Sequence, residues 1–120
     1  MTPLSQSDKP DRRSAEVIAG LATLYFRYND PARALVLGIA AMKSGAAGPR
    51  TALLVASCFL KTGDAEQAAA ALEPLEDVDL TQQEAAAYKY LKAKVAFRLS
   101  DPDTARALLA EAAQIADTAQ

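Results

Sequence analysis

The segment Tyr28-Asn29-Asp30-Pro31-Ala32-Arg33-Ala34 recurs twice in altered form. It returns 34 residues later as Thr62-Gly63-Asp64-Ala65-Glu66-Gln67-Ala68, and a further 37 residues on as Leu99-Ser100-Asp101-Pro102-Asp103-Thr104-Ala105. Each copy holds a turn-former, then an invariant Asp, then helix-forming residues with Ala at the end. Asp ahead of an apolar periodic run is a helix N-cap, and Pro behind it is suited to the first helical position. Each copy therefore reads as the turn of a helical hairpin.

Working outward from these turns, the flanking columns repeat as well. Ala22, Ala56 and Ala93 share one position, Tyr25 and Phe59 another, and Phe26, Leu60 and Phe97 a third. A basic residue ends each preceding run: Arg27, Lys61 and Arg98. The three residues that stretch the second interval to 37 fall in an acidic linker, Glu76 to Thr81, where an insertion is cheap. The remaining breaks are the loop Ser44 to Pro49 (SGAAGP) and the polar stretch 1–13. Between the breaks, Ala, Leu, Glu, Lys and Arg prevail, β-branched residues are scarce, and no alternating run occurs. Six helices are predicted, over about 14–28, 31–43, 49–61, 64–75, 81–99 and 102–117. The fold class is all-α, three stacked antiparallel helical hairpins in one domain, 14–120, behind a flexible polar tail, 1–13. The repeats run over about 15–48, 49–82 and 86–117.

A period of 34 residues is that of the tetratricopeptide repeat, and the sequence resembles that family over about residues 15–117. The family's pattern has a small residue at position eight, an aromatic at eleven, Gly-Asp near the turn and Ala at twenty. Ala22, Tyr25, Asn29-Asp30 and Ala34 meet it, as do Ala56, Phe59, Gly63-Asp64 and Ala68. Small residues at the eighth and twentieth positions allow the two helices of a hairpin to cross closely. The third unit departs, with Ala96 in place of the aromatic and Phe97 one place on. The large residue that the family places at position four is also weak here, being Ile18, Ala52 and Lys89.

Bulk composition narrows the function. Of 120 residues, 51% are apolar, enough for a packed core, but Ala dominates and Trp is absent. Ala buries little surface, so the core should be thin and the helices close together. A net charge of −2 gives no reason to expect nucleic acid as partner. Lys89, Lys92, Lys94 and Arg98 make the fifth helix basic, but at 100° per residue the three lysines point in different directions. There is no histidine, and Cys58 stands alone inside an apolar run, which suits a buried structural thiol. No GxGxxG, GxxxxGK[ST] or GxSxG motif occurs, and the five glycines fall at loops or helix-packing positions. The carboxylates Glu73, Glu76, Asp77 and Asp79 read as a solvated linker rather than a metal site. No catalytic residue, cofactor or metal is expected, and the chain is read as a non-enzyme. It has neither a secretory h-region nor an apolar run of about 20 residues, so it reads as a cytoplasmic protein without membrane insertion.

The resemblance implies a concave groove lined by positions 2, 5, 9, 12 and 13 of each repeat. Carried over, these are Glu16, Ala19, Thr23, Phe26 and Arg27, then Arg50, Leu53, Ser57, Leu60 and Lys61, then Ala87, Tyr90, Lys94, Phe97 and Arg98. Relatives that grip a C-terminal carboxylate use Lys at position 5 and Asn at position 9. Ala19/Thr23 and Leu53/Ser57 cannot do so. What remains is an apolar groove edged by a basic row, suited to an amphipathic or extended segment with acidic flanks. Phe26, Leu60 and Phe97 could equally pack between helices, with the basic row answering helix C-terminal dipoles; the two readings do not exclude each other. Size and repeat number resemble the small tetratricopeptide chaperones of bacterial type III secretion, which hold an export substrate soluble. The alternative is a scaffold or adaptor module. A bare three-repeat array leaves its last hydrophobic face uncovered, and the final helix, ending AEAAQIADTAQ, is only weakly amphipathic, so a permanent partner or self-association when no client is bound is also expected.

Overall fold

The computed structural model describes residues 12–45 and 48–118. Six α-helices follow in order: α1 (Arg12–Arg27), α2 (Pro31–Lys43), α3 (Pro49–Lys61), α4 (Ala65–Leu72), α5 (Gln82–Arg98) and α6 (Pro102–Thr118). A single 3-10 turn, Glu73–Leu75, follows α4. They form three antiparallel hairpins, α1–α2, α3–α4 and α5–α6. Each hairpin packs on the next through its second helix, α2 on α3 and α4 on α5, while α1, α3 and α5 meet along the other side. There is no strand among the described residues.

The three repeated turns share one geometry. Asn29, Gly63 and Ser100 all take left-handed backbone angles, with φ of 62°, 89° and 66°. At each, the next residue's amide donates five residues back: Asp30 to the Tyr25 carbonyl at 2.9 Å, Asp64 to Phe59 at 2.8 Å, Asp101 to Ala96 at 2.8 Å. The left-handed residue itself donates to Phe26, Leu60 or Phe97, three residues back. This pair of bonds closes a helix C-terminus in a Schellman motif. The same Asp then opens the next helix, its Oδ1 accepting from the amide of Arg33, Gln67 or Thr104. One short segment thus ends one helix and begins another, with no free residue between, and that fixes the hairpin angle three times over.

Alanine sets the spacing. Ala22, Ala56 and Ala93 on the first helices and Ala34, Ala68 and Ala105 on the second helices are all buried. The close approach extends between hairpins at Gly38, where a Cβ would lie 2.7 Å from Val55 Cγ2. The main core is centred on the middle hairpin, from Ala52, Leu53, Val55 and Leu60 through Leu72 and Leu75 to Tyr88, Leu91 and Val95.

Among the differences between observed and expected helix boundaries, three bear on the fold. α1 begins at Arg12, so the last two residues of the expected tail are helical; the rest of it, residues 1–11, lies outside the described residues, as do 46–47 of the SGAAGP loop. α4 stops at Leu72 rather than running to 75. Pro74 is the reason: it has no amide hydrogen to donate to the carbonyl four residues back, and its ring crowds that carbonyl. The chain tightens into the 3-10 turn and still buries Leu75. α5 begins at Gln82 because Thr81 and Glu84 form a reciprocal capping box, with both bonds near 3.0 Å.

Candidate functional site: a basic groove along the first helices

The first helix of each hairpin, α1, α3 and α5, contributes one wall or the floor of an open groove of about 1250 Å³. Thr23, Phe26 and Arg27 line it from α1, and Leu53, Ser57, Leu60 and Lys61 from α3. Tyr90, Lys94 and Arg98 complete it from α5. Glu16, Ala19, Arg50 and Ala87, the other positions named from the repeat register, also face it. A periodicity of one residue type per repeat has become one continuous surface.

Phe97 is the exception. Its ring is 67% exposed and does not line the groove. Its counterparts lean on the next hairpin. Phe26 lies under Lys61 of α3, and Leu60 is buried in the core that includes Leu91 of α5. After α5–α6 no further hairpin follows among the described residues, so Phe97 stands at the end of the array.

The floor and the rim differ in character. Leu53 and Leu60 are buried, so they serve the core and the groove floor together, while Phe26 is half-buried and Tyr90 exposed. The Thr23 hydroxyl donates to the Ala19 carbonyl at 3.1 Å, and the Ser57 hydroxyl donates to Leu53 at 3.0 Å. Their protons are committed to their own helices, and only their acceptor lone pairs remain for anything in the groove. Five cations stand around the rim: Arg27, Arg50, Lys61, Lys94 and Arg98. Two carboxylates, Glu16 and Glu84, answer them, and Glu84 is held by the Thr81 amide. None of the five cations forms an ion pair with a carboxylate among the described residues. The whole chain carries 13 basic against 15 acidic side chains, so this positive surface runs against the overall balance.

Two of the cations are placed by aromatic rings. Lys61 Nζ sits 4.9 Å from the centre of the Phe26 ring, across the hairpin boundary, and Lys94 Nζ 5.2 Å from that of Tyr90, one turn away. Such contacts are worth ~0.5–1 kcal/mol where exposed, enough to bias an ammonium over an apolar floor without neutralising it. Arg27, Lys61 and Arg98 also occupy the last turns of their helices, where they oppose the carbonyl ends. The other two lysines of α5 point elsewhere, as the helical angle requires. Lys89 reaches Glu111 at 2.8 Å, and Lys92 reaches Glu76 at 3.6 Å.

The repeat register did not point to Thr81, Gln83, Glu84 and Leu91, which also line the groove. The Thr-x-x-Glu pattern of residues 81–84 was the available signal, since a capping box places the N-terminus of α5 at the groove mouth. Cys58 is wholly buried behind the groove, and burial pushes its thiol up to about 11 against a partial lowering by Lys61. Among the described residues no three His, Cys, Asp or Glu side chains are gathered to hold a metal ion, and no helix is long and apolar enough to cross a membrane.

Compared with known proteins, the chain matches no family model, no curated protein and no solved structure.

Proposed function

We propose that the chain is a tetratricopeptide-like holding protein whose groove takes a segment of a client protein, with apolar anchors seated along the floor and acidic residues at the rim. The observation that carries this reading is the convergence on one apolar-floored groove of five cations that form no ion pair among the described residues, in a chain that is acidic overall. Electrostatic complementarity of this kind gives orientation and rate, and apolar anchors supply most of the affinity. A binding surface accounts for these features of the groove without a catalytic group: its ionisable side chains are five cations, two carboxylates and the Tyr90 phenol, and the buried Cys58 thiol is held protonated.

Within this reading, the chain keeps an export substrate soluble in the cytoplasm before its delivery to a secretion apparatus. Three short hairpins offering an apolar floor of Phe26, Leu53, Leu60 and Tyr90 suit a client that would otherwise expose those anchors to water. A scaffold module in a cytoplasmic or envelope complex is the second reading. It is favoured by the buried state of Leu53 and Leu60, which leaves the floor stable when empty.

Fluorescence anisotropy with two labelled amphipathic peptides of identical Leu/Phe anchors, one flanked by Glu and one by Lys, tests the groove. The Glu-flanked peptide should bind with an affinity that falls with salt, and Lys61→Glu with Arg98→Glu should reverse the preference. Equal binding of both peptides, or no response to charge reversal, refutes the reading. Thermal melting with the bound peptide separates the two roles: a holding protein gains many degrees, whereas a scaffold already melts cooperatively alone.

A further inference from the structure

Along α1, Val17, Leu21, Leu24 and Tyr28 recur at intervals of four, three and four residues, which places them in one stripe. They are 58%, 43%, 48% and 80% exposed. The repeat register shows what these positions are for. Their counterparts in α3 are Thr51, Val55 and Cys58, followed by Thr62; the first three are 7%, 2% and 0% exposed, and Val55 lies directly against Gly38 of α2. In α5 the counterparts are Tyr88, Lys92 and Val95, followed by Leu99: Tyr88 and Val95 are likewise buried, while Lys92 reaches Glu76 beyond α4 and Leu99 edges the crevice there. The first hairpin therefore carries, in apolar form, the face that the second and third hairpins use for docking, with nothing among the described residues upon it.

We infer that this face is the interface of a two-fold dimer, in which α1 of one copy packs on α1 of the other. The area is sufficient. The four side chains expose on the order of 400–500 Å² per copy, so full pairing buries about 800–1,000 Å² in total, the size at which weak, reversible association begins. The other end of the array is the poorer partner. At the register of Leu35, Gly38, Ile39 and Met42, which α2 presents to α3, α6 carries Arg106, Leu109, Ala110 and Ala113, with one large apolar side chain. Residues 1–11 hold only Met1 and Leu4 as large apolar side chains, alongside two prolines. No other helix among the described residues exposes four large apolar side chains in one stripe, and an isologous contact closes after two copies. The groove opens on a different face, so the dimer and the groove reading stand or fall separately.

Sedimentation equilibrium on the full 120-residue chain, from low micromolar to several hundred micromolar, tests this directly. The expected mass rises with concentration to twice 12.7 kDa and no further. Leu24→Glu should weaken association at least ten-fold with far-UV helicity unchanged, while Phe97→Glu at the opposite end and Lys61→Glu in the groove leave it intact. Val17→Glu, in an exposed turn of α1, provides a second disrupting variant should Leu24→Glu lose helicity. A mass of one chain throughout, growth beyond the dimer, or a dimer that survives the α1 variants yet yields to Phe97→Glu overturns the inference.

Discussion

Replacing Gly38 with Ala sets two effects of known size against each other. Gly in a helix interior is about 1 kcal/mol less favourable than Ala, so propensity alone predicts that Gly38→Ala stabilises α2. Against this, the added Cβ would lie 2.7 Å from Val55 Cγ2, about 1 Å inside an ordinary carbon–carbon contact of ~3.5–4.0 Å. Val55 is essentially fully buried and β-branched, with one strongly preferred helical rotamer, so it cannot swing aside. Overpacking of this kind costs ~1–3 kcal/mol. The clash wins: the variant should lose about 1 kcal/mol, or roughly 4–5 °C in melting temperature for a domain of this size. Urea denaturation followed by circular dichroism reads the change, and a double-mutant cycle isolates its cause. In a Val55→Ala background the overlap is gone, and Gly38→Ala should there stabilise by about 1 kcal/mol, a coupling of roughly 2 kcal/mol between neighbouring sites. If Gly38→Ala stabilises the chain with Val55 in place, the close approach of α2 and α3 is not what holds the first two hairpins in register.

Three further outcomes are expected. Ala96 faces a mostly apolar crevice of about 420 Å³ beside Leu72, Val95 and Leu108. Ala96→Phe should fill it as Phe59 fills the equivalent place, raising stability by about 1 kcal/mol after the loss of helix propensity; a lower melting temperature would mean the space is not there. Ser100→Gly should stabilise by a few tenths of a kcal/mol by relieving the left-handed φ, whereas Gly63→Ala at the equivalent turn should lose about 1 kcal/mol, and both can be read by thermal melting. Because burial raises the Cys58 thiol to about 11, the unfolded chain ionises first as pH climbs through 9. Its contribution is complete below pH 9 and is lost between 9 and 11, by up to roughly 2–3 kcal/mol, so the urea midpoint should fall more steeply there in the wild type than in Cys58→Ala.

The turns could be read from sequence because their physics is local. A left-handed residue followed by an N-capping Asp declares itself in three letters, and the Ala columns follow once the register is set. What could not be read depended on neighbours. Phe97 has the right position for the groove but no next hairpin to lean on, a fact about the end of the array that its own helix does not record. Pro74 was visible in the sequence, yet the acidic run after it drew the boundary three residues too late. The exposed stripe on α1 looks like ordinary core in isolation, and only the burial of Val55 and Cys58 at the same register shows what it lacks. The crevice beside Ala96 arises from several small substitutions together. Leu35, Ile39 and Met42 of the first junction become Ala69, Glu73 and Glu76 at the second, while Phe59 becomes Ala96.

That thinning also has a mechanical meaning. Two hairpins are bolted together by the Gly38–Val55 contact and the large side chains around it, while the third meets them across a crevice rimmed by Glu76 and Lys92. Bending of the array is expected to concentrate where the packing is sparsest, with the third hairpin moving as a rigid piece against the first two. The groove crosses that hinge, with Phe26 and Lys61 on one side and Tyr90 and Lys94 on the other. On the proposed groove reading, its width would then be set at that one point, and occupants of different girth would be met by a change of curvature that leaves each hairpin's own turn unaltered. Amide exchange should show this as earlier opening at the α4–α5 boundary than at the α2–α3 boundary, and as a single step of protection there when the groove is filled.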